Sequence, residues 1–124
     1  MSTALHDVPS KTLFRAGLQP STVTESDAGG AVEFPTGDGA TFAVLMVGEL
    51  SEDAGVGVTF EQSHDGTTWV AVSGASIPAQ TVEGAVRGVS FTRDRRYLRC
   101  QYALTGDDPS ATVAVLFGQP AKIT

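Results

Sequence analysis

Apolar residues in this chain recur mainly at every second position, and no segment shows a 3.6-residue apolar period. Successive side chains of a strand point to opposite faces, so this alternation predicts half-buried β-strands. Val56-Gly57-Val58-Thr59-Phe60-Glu61-Gln62 sets Val56, Val58 and Phe60 against Thr59 and Glu61. Tyr97 to Leu104 sets Leu98, Cys100, Tyr102 and Leu104 against Tyr97, Arg99 and Gln101. Ala111 to Phe117 alternates Val113, Val115 and Phe117 with Ala114 and Leu116, and Ala85–Phe91 is a further candidate. Thr41–Val47 is apolar on both alternating sets, which suits a strand covered on both faces or one buried at an interface. Trp69–Val72 is another strand candidate, with weaker ones near Thr22–Glu25 and Ala31–Phe34. Residues 75–83, with Pro78, suit a loop or an edge strand, because proline removes a ladder donor.

Turn residues punctuate these runs. Asp65-Gly66 lies between two of them, and glycine there tolerates the positive φ of a tight hairpin. Gly106-Asp107-Asp108-Pro109 breaks another. Seven or eight short strands predict an all-β, antiparallel β-sandwich of jelly-roll-like form. Residues 1–20 lack a clean period: Leu5, Val8, Leu13, Phe14 and Leu18 are scattered among Pro9, Gly17 and Pro20. They suggest an extended N-terminal arm, frayed or packed on its own domain or a neighbour, ahead of a sandwich domain at 21–124.

Composition narrows the function classes. The 124 residues are one domain's length, with 41% hydrophobic and 18% charged residues, too apolar for a disordered chain. Fourteen acidic against eight basic residues give a net charge of −6, which argues against direct binding to a nucleic-acid backbone. No apolar run reaches the roughly 18 residues of a membrane span. The single Cys100 excludes an internal disulfide, and the first residues lack the pattern of a signal peptide. Synthesis in a cytosol is expected.

Candidate catalytic chemistry is thin. Ser63-His64-Asp65 holds the residue types of a catalytic triad, but neighbours in sequence diverge, whereas a triad converges from separate segments. A polar hairpin end is the expected role. Cys100, between Leu98 and Tyr102, suits a small core residue rather than a nucleophile. Two histidines, His6 and His64, and one cysteine do not make a structural zinc site. Glu49, Glu52 and Asp53, and Asp107-Asp108, suit solvated loops, with a loop calcium site as the alternative. No cofactor and no enzymatic activity are expected. Four of the six arginines fall together as Arg93, Arg95, Arg96 and Arg99, around Tyr97. Arginine beside an aromatic suits a protein–protein contact, and a solvated sheet face neutralised by Asp94 is the alternative.

Two motifs carry a resemblance. Phe60-Glu61-Gln62-Ser63-His64-Asp65-Gly66-Thr67-Thr68-Trp69 has the form strand, then S-x-D-G-x-x-W. Arg96-Tyr97-Leu98-Arg99 is followed by a strand, a glycine-containing loop and a last strand. Together, over roughly residues 56–118, they resemble two groups. One is the β-sandwich capsid decoration (cement) proteins of tailed bacteriophages, and the other is the discoidin-like sandwich modules. Discoidin-like modules are longer, exported and often disulfide-linked, which this chain does not match. The decoration-protein resemblance implies synthesis in a host cytoplasm and a place on the outer surface of a virion. It also implies a homo-oligomer, with a trimer favoured, and the major capsid protein as partner, with neither nucleic acid nor membrane bound. Leu13, Phe14, Leu18, Arg93, Arg95, Tyr97 and Arg99 are the expected contacts, with Pro120-Ala121-Lys122-Ile123 as a secondary candidate. The discoidin-like resemblance implies a carbohydrate-binding or host-surface-binding module, with Trp69 or Tyr97 against the ligand.

Overall fold

A computed structural model of the chain describes residues 12–34 and 39–120. It forms two antiparallel sheets packed as a sandwich, with no helix among the described residues. The strands are β1 (Thr12–Val23), β2 (Asp27–Ala28), β3 (Val32–Glu33), β4 (Gly39–Leu50), β5 (Gly55–Ser63), β6 (Val70–Gln80), β7 (Val86–Arg93), β8 (Tyr97–Thr105) and β9 (Ala111–Pro120). One sheet runs β1-β9-β4-β7; the other runs β2-β8-β5-β6, with β3 also on β8. Among the described residues there are therefore nine strands, because two-residue bridges at β2 and β3 share one edge of β8.

Alternation selects the core. Val56, Val58 and Phe60 of β5, Leu98 and Cys100 of β8, and Val113, Val115 and Phe117 of β9 are all buried between the sheets. Phe60 stacks on Phe91 at 5.2 Å and meets the edge of Phe117 at 5.8 Å. A buried phenylalanine of this kind contributes about 2–3 kcal/mol. Pro78 lies in β6, the edge strand of its sheet, where its missing N–H costs no ladder bond.

The boundary expected at residue 20 does not appear. β1 crosses it and pairs with β9 from Thr12↔Pro120 to Val23↔Ala111, so residues 12–20 form the edge of the sandwich. Register shifts at Ala16/Leu18 and Leu18/Ser21 break the strand's alternation, so the segment shows no period in sequence. Gly17 is required here: a Cβ would lie 2.5 Å from Cε2 of the buried Phe117. The rest of the expected arm, residues 1–11, lies outside the described residues, as do residues 121–123 of the secondary candidate.

Candidate interaction surface

The β5–β6 hairpin uses its polar residues to hold itself. Ser63 Oγ donates to Asp65 Oδ1 at 2.9 Å and accepts the N–H of Gly66 at 2.9 Å. Asp65 Oδ1 also accepts the N–H groups of Thr67 and Thr68, each at 2.9 Å. The N–H groups of Thr68 and Thr67, with the Ser63 hydroxyl, hold the Asp65 carboxyl far below the ordinary carboxylate range. Ser63-His64-Asp65 is thus an Asx-type turn lock. Cys100 is fully buried and donates to the Gly17 carbonyl at 3.7 Å, and burial pushes its thiol up to about 11. Among the described residues no three His, Cys, Asp or Glu side chains come together as a metal site.

The hairpin delivers Trp69 to the outer face of the five-stranded sheet. There the Arg99 guanidinium lies 4.3 Å from the Trp69 ring centroid. Its Nε and Nη2 both donate to Glu61 Oε1 at 2.8 Å, and Gln101 Nε2 donates to the same oxygen at 2.9 Å. The pairing Glu61↔Arg99 across β5 and β8 sets this up. The Gln101 hydrogen bond, and then Arg99, hold the Glu61 carboxyl below its usual range. Alongside, Arg96 pairs with Glu33 and lies 5.6 Å from the Tyr97 ring, with half of its side chain exposed. Arg95 is less exposed and sits 4.0 Å from Asp94. Arg96, Tyr97, Arg99 and Trp69 therefore form one aromatic and guanidinium strip at one end of this sheet, with Arg95 in the connection that precedes it. The same outer face continues as an open groove of about 500 Å³ bordered by Thr59, Ser76, Gln101 and Thr105.

Two expected contacts point elsewhere. Arg93 has no exposed surface. It donates to Arg95 O at 2.6 Å, to Gln119 Oε1 at 2.7 Å and to Thr41 Oγ1 at 3.4 Å, with its guanidinium 4.6 Å from the Phe34 ring. Its pairing with Gly39 puts it on the inner face of β7, so it is an internal brace rather than a partner contact. Leu18 likewise packs against the core, because the register shift turns it beside Val115. Leu13 and Phe14 remain exposed on β1, 37% and 47%. Phe14 lies on the outer face of the other sheet, so it does not join the arginine strip.

That other outer face was hidden in the sequence. Pairing registers put Phe14 and Ala16 of β1, Thr112, Ala114, Leu116 and Gly118 of β9, and Ala40, Phe42, Val44, Met46 and Gly48 of β4 on it. Val86, Gly88, Ser90 and Thr92 of β7 complete it. None of these residues is charged; the arginines of the same strands, Arg15, Arg87 and Arg93, fall on the opposite parity. The one signal was the doubly apolar run Thr41–Val47.

No protein-family model matches the chain, and no curated protein matches it. Among solved structures, a chain in the structure of infectious bursal disease virus Gx strain has a similar fold, with a TM-score of 0.51 and 11% sequence identity. The match covers 91% of this chain but 34% of the viral one, so this chain spans about a third of its length. At that identity the likeness is one of β-sandwich architecture.

Proposed function

We propose that this protein is a structural component of a virion, a decoration protein that binds the outer surface of a capsid and stabilises it by bridging capsid subunits. The observation that carries this reading is the strip of Arg96, Tyr97, Arg99 and Trp69 on an otherwise acidic domain. Arginine and large aromatics are the residues that anchor protein interfaces. The mechanism is associative: many copies each bury a modest patch, and contact with several subunits at once multiplies a weak affinity. The fold shared with a chain from a virus structure is consistent with this role. The test is co-sedimentation with empty shells of the virus that encodes the chain. The protein should pellet with shells, and Arg96→Glu should lower occupancy about tenfold, as reversing an interface charge does. A protein that stays in the supernatant at every salt concentration overturns the reading.

The groove beside the strip supports a second reading, a carbohydrate-binding module. Its lining sets the hydroxyls of Thr59, Ser76 and Thr105 and the amide of Gln101 among the apolar Ile77, Pro78, Ala79 and Ala103, a mixture that suits the two faces of a neutral sugar. Trp69 is the chain's single tryptophan, so its fluorescence reports on that face directly. A saturable change on titration with sugars supports this reading, and silence against a broad panel removes it.

A further inference from the structure

The uncharged outer face of the β1-β9-β4-β7 sheet is the largest feature that the proposed function leaves unused. We infer that a second copy of this chain covers it, in a face-to-face dimer about a two-fold axis lying in the plane of the face. This inference stands independently of the capsid reading.

Relief across the face supports it. Phe42 leans over Gly118, where a Cβ would overlap its ring, and Phe14 meets Phe42 edge-on at 6.2 Å. This makes a ridge at the beginning of β4, on the β1 and β9 side. A second ridge lies diagonally opposite, where Met46 pairs with Val86 on the β7 side, 40% and 63% exposed. Two hollows occupy the other corners. One, about 300 Å³, lies between Phe42, Ser90 and Thr92; the other, about 270 Å³, lies between Met46, Gly48, Thr112 and Pro20. A two-fold axis along the strands carries each ridge of one copy onto a hollow of the other. Such a checkerboard is self-complementary, the condition for an isologous contact. Aligned face-to-face packing is also an ordinary way for two sheets to meet.

Area and charge agree. From Ala40 to Gly48 and across four strands, strand spacings give a footprint of roughly 500 Å² per copy. Two footprints reach about 1,000 Å², the lower bound for a specific interface. With a net charge of −6, two copies repel across most orientations, but this face buries no charge. A single self-complementary face closes at two copies, whereas a trimer needs two different faces on each.

Sedimentation equilibrium over a concentration series tests the inference. The expected result is reversible association to twice the 12.8 kDa chain mass. Met46→Glu and Val86→Glu should each weaken it about tenfold or more, since each then carries an unpaired carboxylate into an uncharged hollow of the other copy. Both sites are exposed, and thermal melts confirm that the variants fold. Val82→Glu, at an exposed site in the β6–β7 connection, should leave association unchanged. A monomer at every concentration, a trimer, or a dimer indifferent to both face variants overturns the inference. So does a monomer whose face binds a hydrophobic dye only after deletion of residues 1–11, which assigns the cover to the chain's own terminus. So does a monomer whose Met46→Glu variant loses shell binding, which assigns it to the capsid.

Discussion

Burying a guanidinium costs several kcal/mol unless its donors are satisfied. Arg93 meets that cost with carbonyl, amide and hydroxyl acceptors from three parts of the chain and with the face of Phe34. It ties the β7–β8 connection to β9 and β4, next to the half-buried Arg95 and the exposed Arg96. Arg93→Met keeps most of the volume but strands these acceptors, and it should lower unfolding stability by about 2–4 kcal/mol. Arg96→Ala removes an exposed pair and should change it by less than about 0.5 kcal/mol. Urea denaturation of the two variants decides the matter: equal midpoints would mean that the internal brace stabilises nothing. In sequence, Arg93 looks like its three neighbouring arginines. Its burial depends on pairing with Gly39 and on Gln119, both distant in the chain, and no local pattern encodes them.

At the scale of elements, the β5–β6 hairpin shows what local chemistry can specify. Gly66 adopts φ +80°, and Gly66→Ala should cost about 1 kcal/mol for the left-handed conformation. Asp65 gives the hairpin a pH dependence. Its folded carboxyl binds a proton less tightly than the unfolded one, so its stabilisation is complete above the ordinary carboxylate value near 3.8. That stabilisation is lost as pH falls through the depressed folded value. Asp65→Asn should therefore melt below the wild type at pH 7, and the gap should narrow towards pH 2. Parallel melting curves across that range would refute the assignment. The same locality explains which strands were legible. β5 and β8 have one wetter and one dry face, and β9 sets Val113, Val115 and Phe117 against Ala114 and Leu116, so alternation revealed both their existence and their inward residues. β1 was obscured by its two register shifts, and β2 and β3 are too short to carry a period. Arg99 and Tyr97 of the candidate strip followed from the alternation of β8. The apolar face did not, because it assembles from single positions on four strands that are distant in sequence.

Viewed as a whole, the molecule gathers carboxylates at one end, while at the other its arginines are paired with carboxylates. The last residues of β4 and the connections at that end of the sandwich hold Glu49, Glu52, Asp53, Glu83, Asp107 and Asp108, with no lysine or arginine among residues 49–54, 81–85 and 106–110. They are stitched together by Ser51 N–H to Ser110 O at 2.9 Å and by Leu50 N–H to Glu83 Oε2 at 3.0 Å. Arg95 and Arg96 lie at the opposite end, where β7 turns into β8. An acidic pole directed away from a partner and a guanidinium strip directed towards it would orient each copy before contact. The uncharged face acts through a different force, and salt separates the two. Screening weakens the attraction of the arginine strip for carboxylates, so attachment to shells should fall between about 50 and 500 mM NaCl. The same screening relieves repulsion between two chains of net charge −6 while leaving apolar burial intact, so self-association should strengthen several-fold over that range. Sedimentation of the free protein and co-sedimentation with shells, taken along one salt series, read both trends. Self-association that weakens with salt would place charged groups at the copy–copy contact and remove the β1-β9-β4-β7 face from it. Attachment that is indifferent to salt would remove the arginine strip from the shell contact, because exchanging its pairs with Glu33 and Glu61 for carboxylates of a partner is an ionic step.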